Sequence, residues 1–177
     1  MLADEVGLGK TVEALIVLRE YQLRRLVRRA LILVPPSLVG HWQTELSSKC
    51  GVTARIAGKR ELADDPEAFW SAEGIIVASL ALARGETQAK LVASTEWDLV
   101  VVDEAHHVKN RNTASFKLVN SLRTRFLLLL TATPIETDLE EIYNLVTLLR
   151  PGQFATPAQF RKRFVNSADP SSPKDRR

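Results

Sequence analysis

Continuous apolar stretches alternate along this chain with stretches in which apolar residues recur every three or four positions. The continuous stretches predict strands buried on both faces, at 30–34, 75–78, 99–102 and 125–131, with a weaker strand at 53–56. The periodic stretches predict helices at 11–23, 37–46 (with Ser37 as its N-cap), 88–92, 112–122 and 139–149. Strands that alternate with helices indicate parallel βαβ units, and hence a three-layer α/β fold around a mostly parallel sheet.

A glycine-containing loop precedes the first predicted helix, and it consists of Asp4, Glu5, Val6, Gly7, Leu8, Gly9, Lys10 and Thr11. In a phosphate-binding loop, Lys10 would contact the β- and γ-phosphates of a nucleotide and Thr11 would ligate Mg²⁺. Gly7 and Gly9 would let the backbone approach the phosphates closely. Asp4 stands where a strict pattern has glycine, so a glycine-rich turn before an ordinary helix is the alternative.

Two carboxylates, Asp103 and Glu104, directly follow the predicted strand at 99–102. Asp103 is the expected Mg²⁺ ligand, and Glu104 is expected to orient and deprotonate an attacking water. Because ligands bind at the carboxyl ends of parallel strands, the loop, the acidic pair and Thr131 should share one edge of the sheet. These features predict nucleoside triphosphate hydrolysis, with a helix N-cap as the alternative role of the acidic pair.

Composition narrows the class of protein. The chain has 177 residues, 45% hydrophobic and 25% charged, which fits one domain or one lobe of something larger. It has no apolar run long enough to span a membrane and no secretory leader, and its single Cys50 excludes an internal disulfide. We therefore expect a cytoplasmic, nucleoid or nuclear protein that is neither membrane-bound nor secreted. The net charge is +3, and five arginines fall between Arg19 and Arg29, which indicates either a nucleic-acid contact or a solvated helix face.

The motifs together resemble those of Swi/Snf-like, helicase-related ATPases of superfamily two. The loop from Asp4 to Thr11 resembles the family's motif I, which carries Asp in place of the first glycine. The later stretches that resemble its motifs are Pro36-Ser37-Leu38 with Trp42 and Glu45, Ala78-Ser79-Leu80, Asp103-Glu104-Ala105-His106-His107-Val108-Lys109-Asn110, Leu130-Thr131-Ala132-Thr133-Pro134-Ile135, and 138–145. Glu136-Thr137 departs from the family's usual Gln-Asn.

The resemblance implies a RecA-like, phosphate-loop lobe of an ATP-dependent motor that tracks along double-stranded DNA. It implies ATP and Mg²⁺ as cofactors, phosphate contacts by Ser37 and Ser79, and coupling between motifs by His106, Thr131 and Thr133. A first lobe is expected at 1–155, incomplete at its N-terminus, followed at 156–177 by the start of a helical insertion or a mobile tail.

The resemblance also implies two parts that this chain lacks, namely an adenine-reading glutamine motif upstream and a second RecA-like lobe downstream. We therefore expect a fragment that hydrolyses ATP very slowly alone, and protein partners are possible. One alternative is a truncated, non-catalytic module that binds nucleic acid or protein through its arginines. Another is a different phosphate-loop enzyme, such as a kinase or a partition ATPase. This alternative is disfavoured by Lys109-Asn110 and by Thr131-Ala132-Thr133-Pro134.

Overall fold

The computed structural model describes residues 1–3, 9–132, 139–150, 152, 156 and 158–160. Within these residues, the strands are Leu2–Ala3 (β1), Arg29–Val34 (β2), Arg55–Ile56 (β3), Gly74–Ser79 (β4), Glu96–Val102 (β5) and Arg123–Thr131 (β6). They form one sheet in the order β1-β6-β5-β2-β4-β3, and every pairing is parallel. The parallel sheet predicted from the apolar stretches is confirmed.

Helices connect the strands. They are Lys10–Leu23 (α1), Val39–Cys50 (α2), Pro66–Ser71 (α3), Leu80–Ala83 (α4), Glu86–Ser94 (α5), Ala114–Ser121 (α6) and Leu139–Leu149 (α7), with short 3₁₀ helices at Pro36–Leu38 and Ala105–Val108. The part of the chain that the structure describes contains no helix of the length and apolar character needed to cross a membrane.

The sheet is buried on both faces, as its continuous apolar strands require. Successive residues of β2 point to opposite faces, so Leu31 packs in one core and Ile32 in the other. The core containing Ile32 includes residues of α1 and α2, whereas the core containing Leu31 includes residues of the five other α-helices. The predicted three-layer α/β fold is therefore confirmed.

The strand register sets the carboxyl edge of the sheet. Leu33 of β2 lies opposite Val102 of β5, and Val34 lies opposite Ser79 of β4. The 3₁₀ helix Pro36–Leu38 and the acidic pair therefore follow neighbouring strands at one level. This edge is where the predicted site residues should meet.

One local prediction is wrong and one short helix was missed. Ser37 does not cap α2, because Pro36 begins a 3₁₀ turn and Leu38 takes the N-cap position without a side-chain hydrogen bond. Helix α3 was not predicted, although Asp65 caps it by accepting a hydrogen bond from the Ala68 N–H.

Candidate functional site

A cavity of about 340 Å³ lies at the carboxyl edge of the sheet, between the start of α1, helix α2 and the loop after β5. Its lining residues are Gly9, Lys10, Thr11, Val12, Leu38, His41, Glu45, Lys49, Asp103, Glu104 and Ala132. The cavity therefore brings together Lys10, Thr11, Asp103 and Glu104, which the sequence analysis placed around one triphosphate. It joins residues that are about ninety positions apart in the chain.

The first helix begins at the wall of this cavity. Gly9 occupies its N-cap position with φ 88°, a left-handed conformation that glycine adopts without steric cost. The first backbone N–H groups of α1 have no partner within the helix and carry the positive end of its dipole, which favours an anion there. Asp4, Glu5, Val6, Gly7 and Leu8 lie outside the described residues, so their predicted phosphate contacts stay a prediction.

Asp103 is held in place from two sides. Its Oδ1 accepts a hydrogen bond from the Glu104 N–H at 2.8 Å, and its Oδ2 accepts one from the Trp42 indole N–H, also at 2.8 Å. Asp103 is only 8% exposed and Trp42 is fully buried. In the sequence, Trp42 stood out only as part of a family motif, and its contact with the acid was not predicted.

Glu104 has a left-handed backbone, with φ 49° and ψ 54°. Such a conformation costs a non-glycine residue on the order of 1–3 kcal/mol and is found most often at functional sites. Glu104 precedes the 3₁₀ helix Ala105–Val108, but its side chain makes no capping hydrogen bond. The alternative in which the acidic pair serves only as a helix cap therefore lacks support.

Two histidines follow the acidic pair. Nδ1 of His106 lies 3.1 Å from Oε2 of Glu104, outside hydrogen-bond geometry, so the contact is an ion pair only when His106 is protonated. The ring of His107 lies 4.1 Å from that of His106, centroid to centroid. Burial of part of its ring, and then His106, lower the pKa of His107 below the ordinary 6.5.

The oxygen donors in the cavity suit Mg²⁺. The described residues contain no group of three or more His, Cys, Asp or Glu side chains that could hold a metal ion. Mg²⁺ is commonly bound by one or two protein oxygens together with water and substrate phosphates. A single carboxylate, Asp103, beside the hydroxyl-bearing Thr11 fits that mode of binding better than a self-contained metal site.

Helix α2 contributes one of its faces to the cavity. His41, Glu45 and Lys49 are spaced four residues apart, which places them on the same side of a helix. Lys49 Nζ and Glu45 Oε2 form an ion pair at 2.6 Å. His41 and Lys49 were not among the predicted site residues, although their spacing from Glu45 could have indicated them.

The remaining predicted site residues are placed as follows. Thr131 is buried at the end of β6, and Thr133 lies outside the described residues. Ser37 is exposed on the 3₁₀ helix, whereas Ser79 is half-buried and its Oγ accepts a hydrogen bond from the Leu82 N–H at 3.1 Å. Ser79 therefore has a structural role as the N-cap of α4.

The arginine-rich segment lies away from the cavity. It runs from the second half of α1 to the start of β2, at the amino ends of the strands. Arg24 pairs with Glu20 on the exposed surface, and the Arg29 side chain donates to the Glu96 carbonyl at 2.9 Å. The basic segments at 161–163 and 174–177 lie outside the described residues.

The segment after the acidic pair is attached to α7. Lys109 Nζ lies 2.8 and 2.9 Å from the two carboxylate oxygens of Glu141. The buried Asn144 donates its Nδ2–H to the Lys109 carbonyl at 2.9 Å, and the Arg111 guanidinium lies 5.0 Å from the ring centroid of Tyr143. These contacts link the Lys109-Asn110 stretch to a helix more than thirty residues later.

Comparison with known proteins gives relatives over nearly the whole chain. The model of the SNF2-related domain matches residues 1–176. The chain is 43% identical over 165 residues to the "uncharacterized ATP-dependent helicase YqhH" of Bacillus subtilis, covering 93% of this chain and 28% of that protein. It is 34% identical over 172 residues to the RNA polymerase-associated protein RapA of Cronobacter sakazakii, covering 90% of this chain and 18% of that protein. The chain thus spans less than a third of the length of these relatives.

Solved structures agree with this assignment. The Sulfolobus solfataricus SWI2/SNF2 ATPase core in complex with double-stranded DNA matches with a TM-score of 0.79 and 27% identity, over 95% of this chain and 35% of that one. The core domain of the same ATPase matches with a TM-score of 0.72 and 28% identity, over 93% of this chain and 33% of that one. The family model covers almost every residue and the fold agrees, so this chain belongs to the SNF2-related domain family.

Proposed function

We propose that this chain is the first, ATP-binding and ATP-hydrolysing motor lobe of a double-stranded DNA translocase. The observation that carries the proposal is the single cavity that holds Lys10, Thr11, Asp103 and Glu104 at the carboxyl edge of the sheet. An ammonium, a hydroxyl and two carboxylates are the groups that a magnesium-bound triphosphate and an attacking water require.

Each residue has a role that follows from its chemistry. Lys10 binds the β- and γ-phosphates, next to the N–H groups at the start of α1. Thr11 and Asp103 supply oxygen ligands for Mg²⁺, which neutralises phosphate charge when bound. Glu104 orients the attacking water and accepts its proton. The loop from Asp4 to Gly9 cradles the phosphates, and His106, Thr131 and Thr133 couple this site to the neighbouring motifs.

The partner is proposed to be double-stranded DNA. The Sulfolobus relative binds double-stranded DNA. Ser37 follows β2 and Ser79 ends the neighbouring β4, at the edge that also holds the cavity. A short hydroxyl or a backbone N–H at these positions can bind a DNA phosphate without selecting a sequence. The first lobe is proposed to span 1–155, with 156–177 beginning an insertion or tail.

Hydrolysis is proposed to need a second RecA-like lobe that closes on the nucleotide. Arginine fingers in related phosphoryl-transfer enzymes raise the rate by about 10³–10⁵-fold. We therefore expect the 177-residue chain to bind ATP weakly and to turn it over very slowly. Adding a second lobe from a relative should increase the turnover, and double-stranded DNA should then stimulate it.

Two substitutions separate binding from hydrolysis. Lys10→Ala should weaken the binding of Mg²⁺·ATP to the chain by at least about tenfold, because it removes a charge-assisted contact to phosphate. Glu104→Gln should leave that binding within about twofold but abolish turnover when the second lobe is present. Lys117→Ala, which removes an exposed lysine on α6, is the charge-matched control. Equal binding by the Lys10 and Lys117 variants would refute the proposed site.

The second candidate function is a non-catalytic module that binds nucleic acid through its arginines. Its support is the exposed cluster around Arg24, Arg25 and Arg28, which lies away from the cavity. Salt-dependent DNA binding that is unchanged by Lys10→Ala, in a chain that binds no nucleotide, would favour this alternative.

A further inference from the structure

We infer that Trp42 is a positioning residue for the cation ligand Asp103, and that its indole N–H sets the affinity of the site for the divalent cation. This inference rests on the proposed function, since it gives Trp42 a role at the same site. It goes beyond that function because Trp42 is fully buried, does not line the cavity and acts through Asp103.

The hydrogen bonds of Asp103 leave its ligand positions open. An ionised carboxylate has about four lone-pair directions, and here Trp42 takes one on Oδ2 while the Glu104 N–H takes one on Oδ1. Two directions remain, one on each oxygen. Donors on both oxygens prevent the carboxylate from rotating about its terminal torsion, a torsion that is otherwise broad.

The indole itself cannot move aside. Trp42 is fully buried in the core between the sheet and α1 and α2, where Leu46 and Ile32 are its neighbours in the same cluster. Protein interiors are close-packed, so a second rotamer of a side chain this large would require other residues to move. The position of Asp103 is therefore fixed by the packing of α2 against the sheet.

The indole is also neutral, and this matters for a cation site. A lysine or arginine in the same place would hold Asp103 equally well, but it would cancel the negative charge that attracts the metal ion. An indole donates one hydrogen bond and carries no charge. Groups that orient a metal ligand in this way typically change metal affinity or activity by roughly 10–100-fold when they are removed.

The other two tryptophans show what a purely structural indole does in this fold. Trp97 donates to the backbone carbonyl of Val92 at 2.9 Å, and Trp70 donates to the side-chain oxygen of Gln88 at 2.6 Å. Both are buried on the opposite face of the sheet from Trp42. Of the three, only Trp42 donates to an acid that lines the cavity, so Trp70 and Trp97 serve as internal controls.

The first test compares three matched variants of the full chain, Trp42→Phe, Trp70→Phe and Trp97→Phe. Each removes one buried indole N–H and keeps an aromatic ring, so all three should lose some stability. The measurement is the Mg²⁺ concentration that gives half-maximal binding of ADP. We expect this midpoint to rise by roughly 10–100-fold in Trp42→Phe and to stay within about twofold in the other two. An unchanged midpoint in Trp42→Phe, or an equal rise in all three, would overturn the inference.

The second test needs no variant in the cation measurement itself. The three indole N–H groups each give one resonance in a nitrogen-15 NMR spectrum, and the Phe variants that fold assign them. Replacing Mg²⁺ by paramagnetic Mn²⁺ in the presence of ADP should broaden the Trp42 resonance most, because both ions take carboxylate and phosphate ligands. Equal or absent broadening of the three resonances would contradict the inference even if Trp42→Phe fails to fold.

The outcomes of these tests differ from a failure of the proposed function. A wild-type chain that binds no ADP with either cation, or whose binding does not depend on Lys10, would remove the proposed function and this inference with it. If nucleotide binding depends on Lys10 but the Mg²⁺ midpoint is unchanged in Trp42→Phe, the proposed function stands. Only the role of Trp42 is then refuted.

Discussion

Replacement of Asn144 by leucine tests whether the segment after the acidic pair depends on α7. Asn144 is only 6% exposed, and its Nδ2–H donates to the Lys109 carbonyl at 2.9 Å. Leucine has the same branched arrangement of four side-chain heavy atoms but no donor, so Asn144→Leu keeps the approximate shape and leaves that carbonyl without this bond. The bond is part-buried, and a typical intramolecular hydrogen bond contributes about 0.5–1.5 kcal/mol, so we expect the free energy of unfolding to fall by about 1 kcal/mol.

The assay is urea denaturation of the full chain, followed by tryptophan fluorescence and by far-ultraviolet circular dichroism. Coincident transitions by the two probes would justify a two-state free energy, obtained by linear extrapolation to water. Thr147→Val is the comparison on the same helix, because Thr147 Oγ1 accepts a hydrogen bond from Arg111 at an exposed position and donates one to the Tyr143 carbonyl within α7. The free energy of unfolding of Thr147→Val should stay within about 0.5 kcal/mol of the wild-type value.

Two results would refute this reasoning. If Asn144→Leu unfolds within about 0.5 kcal/mol of the wild type, the Lys109 carbonyl finds another donor and Asn144 does not hold the segment. If Thr147→Val loses as much stability as Asn144→Leu, the loss reflects α7 in general and not the buried hydrogen bond.

Three further predictions concern single residues at the carboxyl edge. Ser79→Ala should lower the free energy of unfolding by about 1 kcal/mol in denaturation experiments, because it removes the cap of α4. Ser79→Asp should keep the cap but weaken DNA binding in a DNA titration, because the added carboxylate repels DNA phosphates. The free energy of unfolding of Glu104→Gly should exceed that of Glu104→Ala by about 1 kcal/mol in urea denaturation, because glycine adopts the left-handed backbone without strain. Equal free energies for the two variants would contradict this prediction. His107, with a lowered pKa, binds its proton more weakly in the folded than in the unfolded state, so its contribution to stability is unchanged above pH 6.5 and falls as the pH drops through the folded pKa. The effect is small because His107 is largely exposed, and His107→Gln should flatten the stability profile below pH 6.5 in denaturation curves measured across that range.

The order of strands and helices was predictable because each depends on local periodicity. The apolar run before Asp103 indicated a strand buried on both faces, and β5 ends at Val102 as that run does. The spacing of apolar residues after Lys10 indicated a helix, and α1 begins at Lys10. Strand ends in parallel sheets meet at one edge, so the sequence also predicted that Lys10, Asp103 and Glu104 would lie together.

Local signals failed where short elements compete with each other. Ser37 has the composition of a helix cap, but the proline before it begins a 3₁₀ turn and shifts the cap to Leu38. The Asp65-Pro66 pair is a typical helix start, but α3 has only six residues and follows a polar stretch, so it was not predicted. In both cases, the signal was local and lay in the sequence, namely a proline at the start of a helical turn.

What the sequence determined by itself was the type of each long element, the edge at which the site forms, and the chemistry of the residues that line it. What only the tertiary structure decided was which buried polar groups become partners. Trp42 and Asp103 are 61 residues apart, and Asn144 reaches a carbonyl 35 residues earlier. A periodic pattern is written in neighbouring residues, whereas the partner of a buried indole or amide is set by which helix packs against which strand.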